Sequence, residues 1–154
     1  MQDVFELRKL LEPRAAALAA RDITDEEVQS LRQHVANARQ AYRQGDTDTL
    51  FQCSLHFRDG WLRAVPNARL SETITRYSDQ VLQVRHLTLK TPAIQDAVIR
   101  GFQEILKAFE ARDSVAAHDV MLRFVLAAER DYAALCGVAA LEGPAEAVDG
   151  VDNP

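Results

Sequence analysis

Asp46-Thr-Asp-Thr-Leu50-Phe-Gln-Cys53-Ser54-Leu-His56-Phe57-Arg58-Asp-Gly60-Trp61-Leu62-Arg-Ala-Val65-Pro66-Asn67-Ala-Arg-Leu70 is the most informative run of this chain. Leu50, Ser54, Phe57, Trp61 and Val65 recur at steps of three and four residues, which is one face of a helix. Pro66-Asn67 ends it, because the residue before a proline is driven out of the helical region. The apolar members must face a core. Ser54 lies on the same stripe, and Arg58 follows one turn further along the same side. A small hydroxyl and a guanidinium at the edge of a buried face mark the place where a ligand is expected. Phe102 and Phe124, each on the stripe of a later helix, are expected to complete that pocket.

On the N-terminal side, Thr24-Asp25-Glu26-Glu27 is a capping box with acids in the first turn. It opens a helix that carries Val28, Leu31, Val35 and Ala38 and stops at Gly45. The first segment, about Asp3 to Arg21, places Val4, Leu7, Leu11, Ala15 and Leu18 on one stripe. Pro13 inside it predicts a kink or a break near Leu11. On the C-terminal side, Asn67 caps a helix holding Leu70, Ile74, Tyr77, Val81 and Val84 toward Leu89. After Lys90-Thr91-Pro92, the residues Ile94, Val98, Phe102, Ile105 and Phe109 make the next stripe. Asp113 caps a last helix with Ala117, Met121, Phe124, Ala128 and Leu135, which Gly137 closes. No strand-like alternation is long enough to build a sheet. The expected fold is all-α: an antiparallel bundle of about six helices over residues 1–136, followed by an acidic, disordered tail over 137–154.

The 154 residues suit one domain with a sizeable core. No apolar run approaches a membrane span, and acidic Asp3 and Glu6 stand where a signal peptide would be basic, so the expected location is cytoplasmic. Cys53 and Cys136 have no metal-type spacing and read as reduced thiols. The formal net charge is −5, from 18 basic and 23 acidic residues. The tail holds four of those acids (Glu142, Glu146, Asp149 and Asp152) and no lysine or arginine, so the body is nearly balanced. That is not the footprint of a nucleic-acid binder.

Three local patterns together resemble one family. They are Phe5-Glu6-Leu7-Arg8-Lys9-Leu10-Leu11-Glu12-Pro13 with the alanine run behind it, then Phe57, Leu62 and Pro66-Asn67-Ala68-Arg69-Leu70, and finally Ile105-Leu106-Lys107-Ala108-Phe109-Glu110-Ala111-Arg112-Asp113. Their order and spacing are similar to the FCD domain, the effector-binding half of GntR-type transcription regulators of the FadR subfamily. The resemblance implies an all-helical bundle that binds a small metabolite, usually an organic acid, in its interior. It also implies a homodimer that reaches DNA through an N-terminal winged helix-turn-helix. No such segment precedes Met1 here, so the chain is expected to be either the effector half of a longer regulator or a free-standing module.

Many members of that family hold a divalent metal with an aspartate, a histidine four residues on, and one histidine from each of two later helices. By this resemblance the four positions fall on Ser54, Arg58, Phe102 and Phe124. None is a good metal ligand and Arg58 would repel a cation, so no metal or other cofactor is expected. Arg58 could take over the cation's work, since a guanidinium forks onto a carboxylate. The family also carries an arginine at the position of Arg8, which makes Arg8 a second candidate anchor. The expected ligand-binding set is therefore Arg8, Ser54, Arg58, Phe102 and Phe124. The plainer alternatives are that Arg58 pairs with an acid across helices, that Arg8 lies on the surface, and that the phenylalanines fill the core. His34, His56, His86 and His118 lie on four helices with no ligand-type pairing.

The leading expectation is a metal-independent sensor for a small carboxylate or acyl effector. The alternative is a ligand-free dimerisation module with a degenerate, filled pocket. A cavity of a few hundred cubic ångströms beside Arg58 favours the sensor, and a dry packed core favours the module. An enzyme is not expected, because the chain shows no nucleophile–base pair, no paired buried acids and no phosphate loop.

Overall fold

The computed structural model describes the backbone of residues 1–141 and the side chains of residues 1–137. Most of the acidic tail expected over 137–154 lies outside the described residues. Among the described residues there are seven helices and no strand: α1 (Gln2–Asp22), α2 (Asp25–Gln44), α3 (Thr47–Arg63), α4 (Ala68–Thr75), α5 (Ser78–Thr88), α6 (Pro92–Glu110) and α7 (Ser114–Leu141).

Their boundaries follow from side-chain chemistry. Thr24 and Glu27 form the reciprocal capping box at the start of α2, and Gly45 ends that helix in the left-handed conformation at φ +68°. Asp46 accepts from the Thr49 N–H to start α3, and Asn67 accepts from Leu70 to start α4. Thr91 and Asp113 do the same for α6 and α7.

Three expectations about the elements need correction. The single helix expected from Leu70 to Leu89 is two, because Tyr77 leaves the helical region (φ −105°, ψ 16°) and Ser78 starts a new helix. This break lets the Tyr77 ring turn into the core, where it is buried. The break expected in α1 is absent. Pro13 removes one backbone hydrogen bond, yet α1 continues through it, supported by the packing of its buried face along α7. The last helix does not close at Gly137 but runs on to Leu141.

The helices pack antiparallel. Phe5 meets Tyr132 and Lys9 Nζ meets the Glu129 carboxylate at 3.0 Å, so α1 and α7 run in opposite directions. Arg32–Glu110 and Arg39–Asp96 order α2 against α6 in the same way. The α3 stripe of Leu50, Ser54, Phe57, Trp61 and Val65 is buried throughout, and each large apolar member contributes roughly 1.5–3 kcal/mol to the core.

Of the α1 stripe expected, Ala15 is buried and Val4 and Leu11 are half-buried against the core, but Leu7 is 43% exposed; the centre of the inner face is Phe5, Arg8, Glu12, Ala15, Ala16 and Ala19. On α7, Leu135 is also exposed, whereas Ala117, Met121 and Val125 are buried. Both cysteines are free, Cys53 buried and Cys136 exposed. Among the described residues no helix is long and apolar enough to cross a membrane.

Candidate functional site

Two charged residues, Arg8 and Glu12, lie in the middle of the α1 face that packs against the bundle. They are among the most deeply buried side chains of the protein, at 1% and 0% exposure. Spaced by four residues, they sit one turn apart, and Arg8 Nε donates to Glu12 Oε1 at 3.0 Å. Arg58 reaches across from α3, and its Nη2 donates to the same Glu12 oxygen at 3.1 Å. Burial pulls the Glu12 carboxyl upward. The two guanidiniums, Arg58 and then Arg8, and their hydrogen bonds outweigh it and hold Glu12 down at about 2.

This triad carries one positive charge in excess, and a third guanidinium adds another. Arg85 on α5 is buried, and among the described residues it forms neither an ion pair nor a hydrogen bond. Its guanidinium stacks instead over the rings of Phe124 (5.3 Å to the centroid) and Phe102 (5.9 Å). Burial, followed by repulsion from Arg8 and Arg58, pushes it down to about 9, so it remains a cation at neutral pH.

Among the described residues, Arg58 Nε and the Tyr77 hydroxyl are buried without a hydrogen-bond partner. Burial and the nearby Glu12 charge push the Tyr77 phenol upward, although no hydrogen bond of good geometry joins the two. Buried donors left unpaired are rare, and each costs about 1–3 kcal/mol.

The sequence-derived candidates converge here. Ser54, Arg58, Phe102 and Phe124 line one cavity together with Glu12 and Arg85. Phe57, Phe102 and Phe124 form a continuous aromatic row, with centroid separations of 4.4 and 5.5 Å. The Phe124 ring lies directly on Gly101 of α6, where any β-carbon would strike it. Arg8 is not on the surface. It faces an adjoining cavity with Arg85, Thr88, Val98 and Asp131. The Ser54 hydroxyl donates to the Phe51 carbonyl of its own helix at 2.7 Å, so its hydrogen is already engaged.

The cavity beside Arg58 is about 20 Å³ and its neighbour about 40 Å³. The first is room for little more than one water, far short of the few hundred cubic ångströms expected of an open sensor pocket. Arg58 also makes the cross-helix pair with an acid that was the plainer reading of it.

Reading the sequence missed Glu12, Arg85 and Tyr77. A signal existed for Arg85: Val81, Arg85 and Thr88 stand at helical spacing and form a buried stripe with Val84. His34 and His56, read as having no ligand-type pairing, are neighbours in space. Their rings pack 5.4 Å apart across α2 and α3.

The donor chemistry does not fit a divalent metal at the four family positions. Two of them are phenylalanines, one is a guanidinium paired to Glu12, and the serine hydroxyl is engaged by backbone. Among the described residues no group of three or more histidines, cysteines or acids could hold a metal ion.

Comparison with known proteins gives this geometry a context. The family model described as the FCD domain matches residues 3–127. The solved structure of Streptococcus agalactiae GntR is similar, with a TM-score of 0.70 and 28% sequence identity over 83% of this chain and 57% of that one. The chain thus spans a little over half the length of that relative. No curated protein matches the chain. With the matched residues running from α1 into α7, the chain belongs to the FCD domain family.

Proposed function

We propose that this chain is the effector-binding domain of a GntR-type transcriptional regulator, and that it holds a small organic acid directly on arginine, without a metal. The observation that carries this reading is Arg85, a buried cation that forms no ion pair among the described residues and faces the cavity that Arg58, Phe102 and Phe124 also line. An isolated buried charge is costly, and a ligand carboxylate supplies what the fold leaves out. The phenylalanine rings give the bound acid an apolar wall. DNA binding, in this reading, belongs to a separate winged helix-turn-helix, and the domain acts as a homodimer matched to a two-fold operator. No catalytic role is assigned to it.

Within the site Glu12 is the carboxylate that pairs with Arg8 and Arg58. A second reading draws on the small cavity volumes: a dimerisation module whose pocket is filled by Phe102 and Phe124. A thermal-shift screen against organic acids and acyl-thioesters separates the two. The sensor reading expects a saturable rise in melting temperature of several degrees with at least one acid. No response to any acid, with full occupancy of the folded dimer, favours the filled module.

A further inference from the structure

The two cavities have three wall residues in common, Val81, Arg85 and Phe124. Val81 and Arg85 are buried, whereas Phe124 is only half-buried, so its ring is the least confined of the three. We propose that Phe124 is the residue that sets the length of the acid this site accepts, its ring closing the chamber beside Arg58 against the chamber beside Arg8. This rests on the anion-binding reading above and adds the determinant of its chain-length specificity.

Gly101 fixes where the ring lies. It stands in the interior of α6, where glycine is a poor helix former, and a β-carbon there would strike the Phe124 ring. The glycine thus makes the niche in which the ring is seated. The seated ring meets Phe102, with centroids 5.5 Å apart, and the Arg85 guanidinium at 5.3 Å. It therefore lies against the group that anchors the acid, where it meets the chain that follows the carboxylate. Volume gives the consequence. The Arg58 chamber, about 20 Å³, is filled by a carboxylate-sized group. A longer acid has to run on into the second chamber, about 40 Å³, whose walls include Val84, Ile94, Val98 and Ala128. With the ring seated that path is shut, and extra methylenes find no apolar surface to cover. With the ring gone, each methylene that reaches those aliphatic walls should add roughly fourfold to affinity. The Arg58–Glu12 pair is not part of the barrier, so the charge of the anion site stays the same.

The test is a titration of wild type, Phe124→Leu and Phe124→Ala with propionate and hexanoate at fixed ionic strength, up to about 10 mM, read by calorimetry and by the fluorescence of Trp61, which lines the Arg58 chamber. Wild type should bind hexanoate no more tightly than propionate. In Phe124→Ala hexanoate should gain at least about tenfold over propionate, and Phe124→Leu, the milder change, should move the ratio in the same direction. Ala128→Leu added to either variant refills the second chamber and should cancel the gain while propionate binding persists. A hexanoate-to-propionate ratio unchanged from wild type in both variants would overturn the assignment and leave the anion site standing. A clear preference for hexanoate already in wild type, or a gain that survives Ala128→Leu, would overturn it as well. No binding of either acid to any of these proteins would overturn the assignment together with the anion-binding reading.

Discussion

Arg85→Met gives opposite signs for a ligand anchor and for a structural arginine. Arg85 forms no ion pair among the described residues, and burial, followed by repulsion from Arg8 and Arg58, disfavours its charge. Exchanging an uncompensated buried charge for an apolar side chain of similar length is typically stabilising by about 1–4 kcal/mol. Against this stand the two cation–π contacts to Phe102 and Phe124, together worth about 1 kcal/mol. The net expectation lies between no change and a gain of about 3 kcal/mol, which for a domain of this size raises the melting temperature by up to roughly 10 °C. The same substitution should remove the response to acid. A wild-type ligand at a hundred times its Kd adds about 2.7 kcal/mol of stability, and in Arg85→Met this increment should vanish. Differential scanning calorimetry of both proteins, with and without the best acid of the screen, reads both effects. A variant that melts lower than wild type and still responds fully to the acid would refute the reasoning.

Glu12→Gln should be severely destabilising, by about 3–5 kcal/mol in urea unfolding, because it strips two buried guanidiniums of their counter-charge. A loss under about 1 kcal/mol would show that the triad is not a closed electrostatic unit. Since Glu12 is held at about 2, below its ordinary 4.5, its stabilising contribution is complete above 4.5 and is lost as pH falls from there toward 2. An acid titration of unfolding free energy should therefore steepen across that window in wild type and lose that component in Glu12→Gln. Arg58→Met should weaken acid binding by roughly tenfold to a hundredfold, with Arg58→Lys only a partial rescue because an ammonium cannot fork. Calorimetric affinity equal to wild type would remove Arg58 from the site. EDTA should leave the melting temperature unchanged, and elemental analysis should find no stoichiometric zinc, nickel or manganese. About one tightly bound metal per chain would contradict the arginine-based site.

Reading the sequence captured the parts of this fold that obey simple rules. The α3 stripe from Leu50 to Val65 was legible because its periodicity is apolar, and α2 because Thr24, Glu27 and Gly45 punctuate it. Ser54, Arg58, Phe102 and Phe124 were legible as one cavity wall from their places on three helical stripes, and the resemblance pointed to the same four positions. What stayed hidden was charge placed where apolar residues belong. Arg8 and Glu12 occupy the centre of the inner face of α1, while Val4 and Leu11 of the apolar stripe are only half-buried at its edge and Leu7 faces outward, so a hydrophobic-stripe argument sets that helix off its true inner face. Arg85 follows Val84 on α5 and was absorbed into an aliphatic pattern. The break at Tyr77 serves the burial of one ring, a tertiary demand that local propensity does not record.

The central claim, that an acid binds at the buried guanidiniums of α3 and α5, is tested most directly by nuclear magnetic resonance of the arginine side chains. The Nε–Hε signals of ¹⁵N-labelled protein, assigned through Arg58→Lys and Arg85→Lys, are followed while the acid with the largest thermal shift is added. The account predicts that the Arg85 and Arg58 signals move together and saturate at the calorimetric Kd, with Arg58 Nε, which has no hydrogen-bond partner among the described residues, gaining one. Movement confined to solvent-exposed arginines, with Arg85 and Arg58 unchanged at saturation, would contradict it.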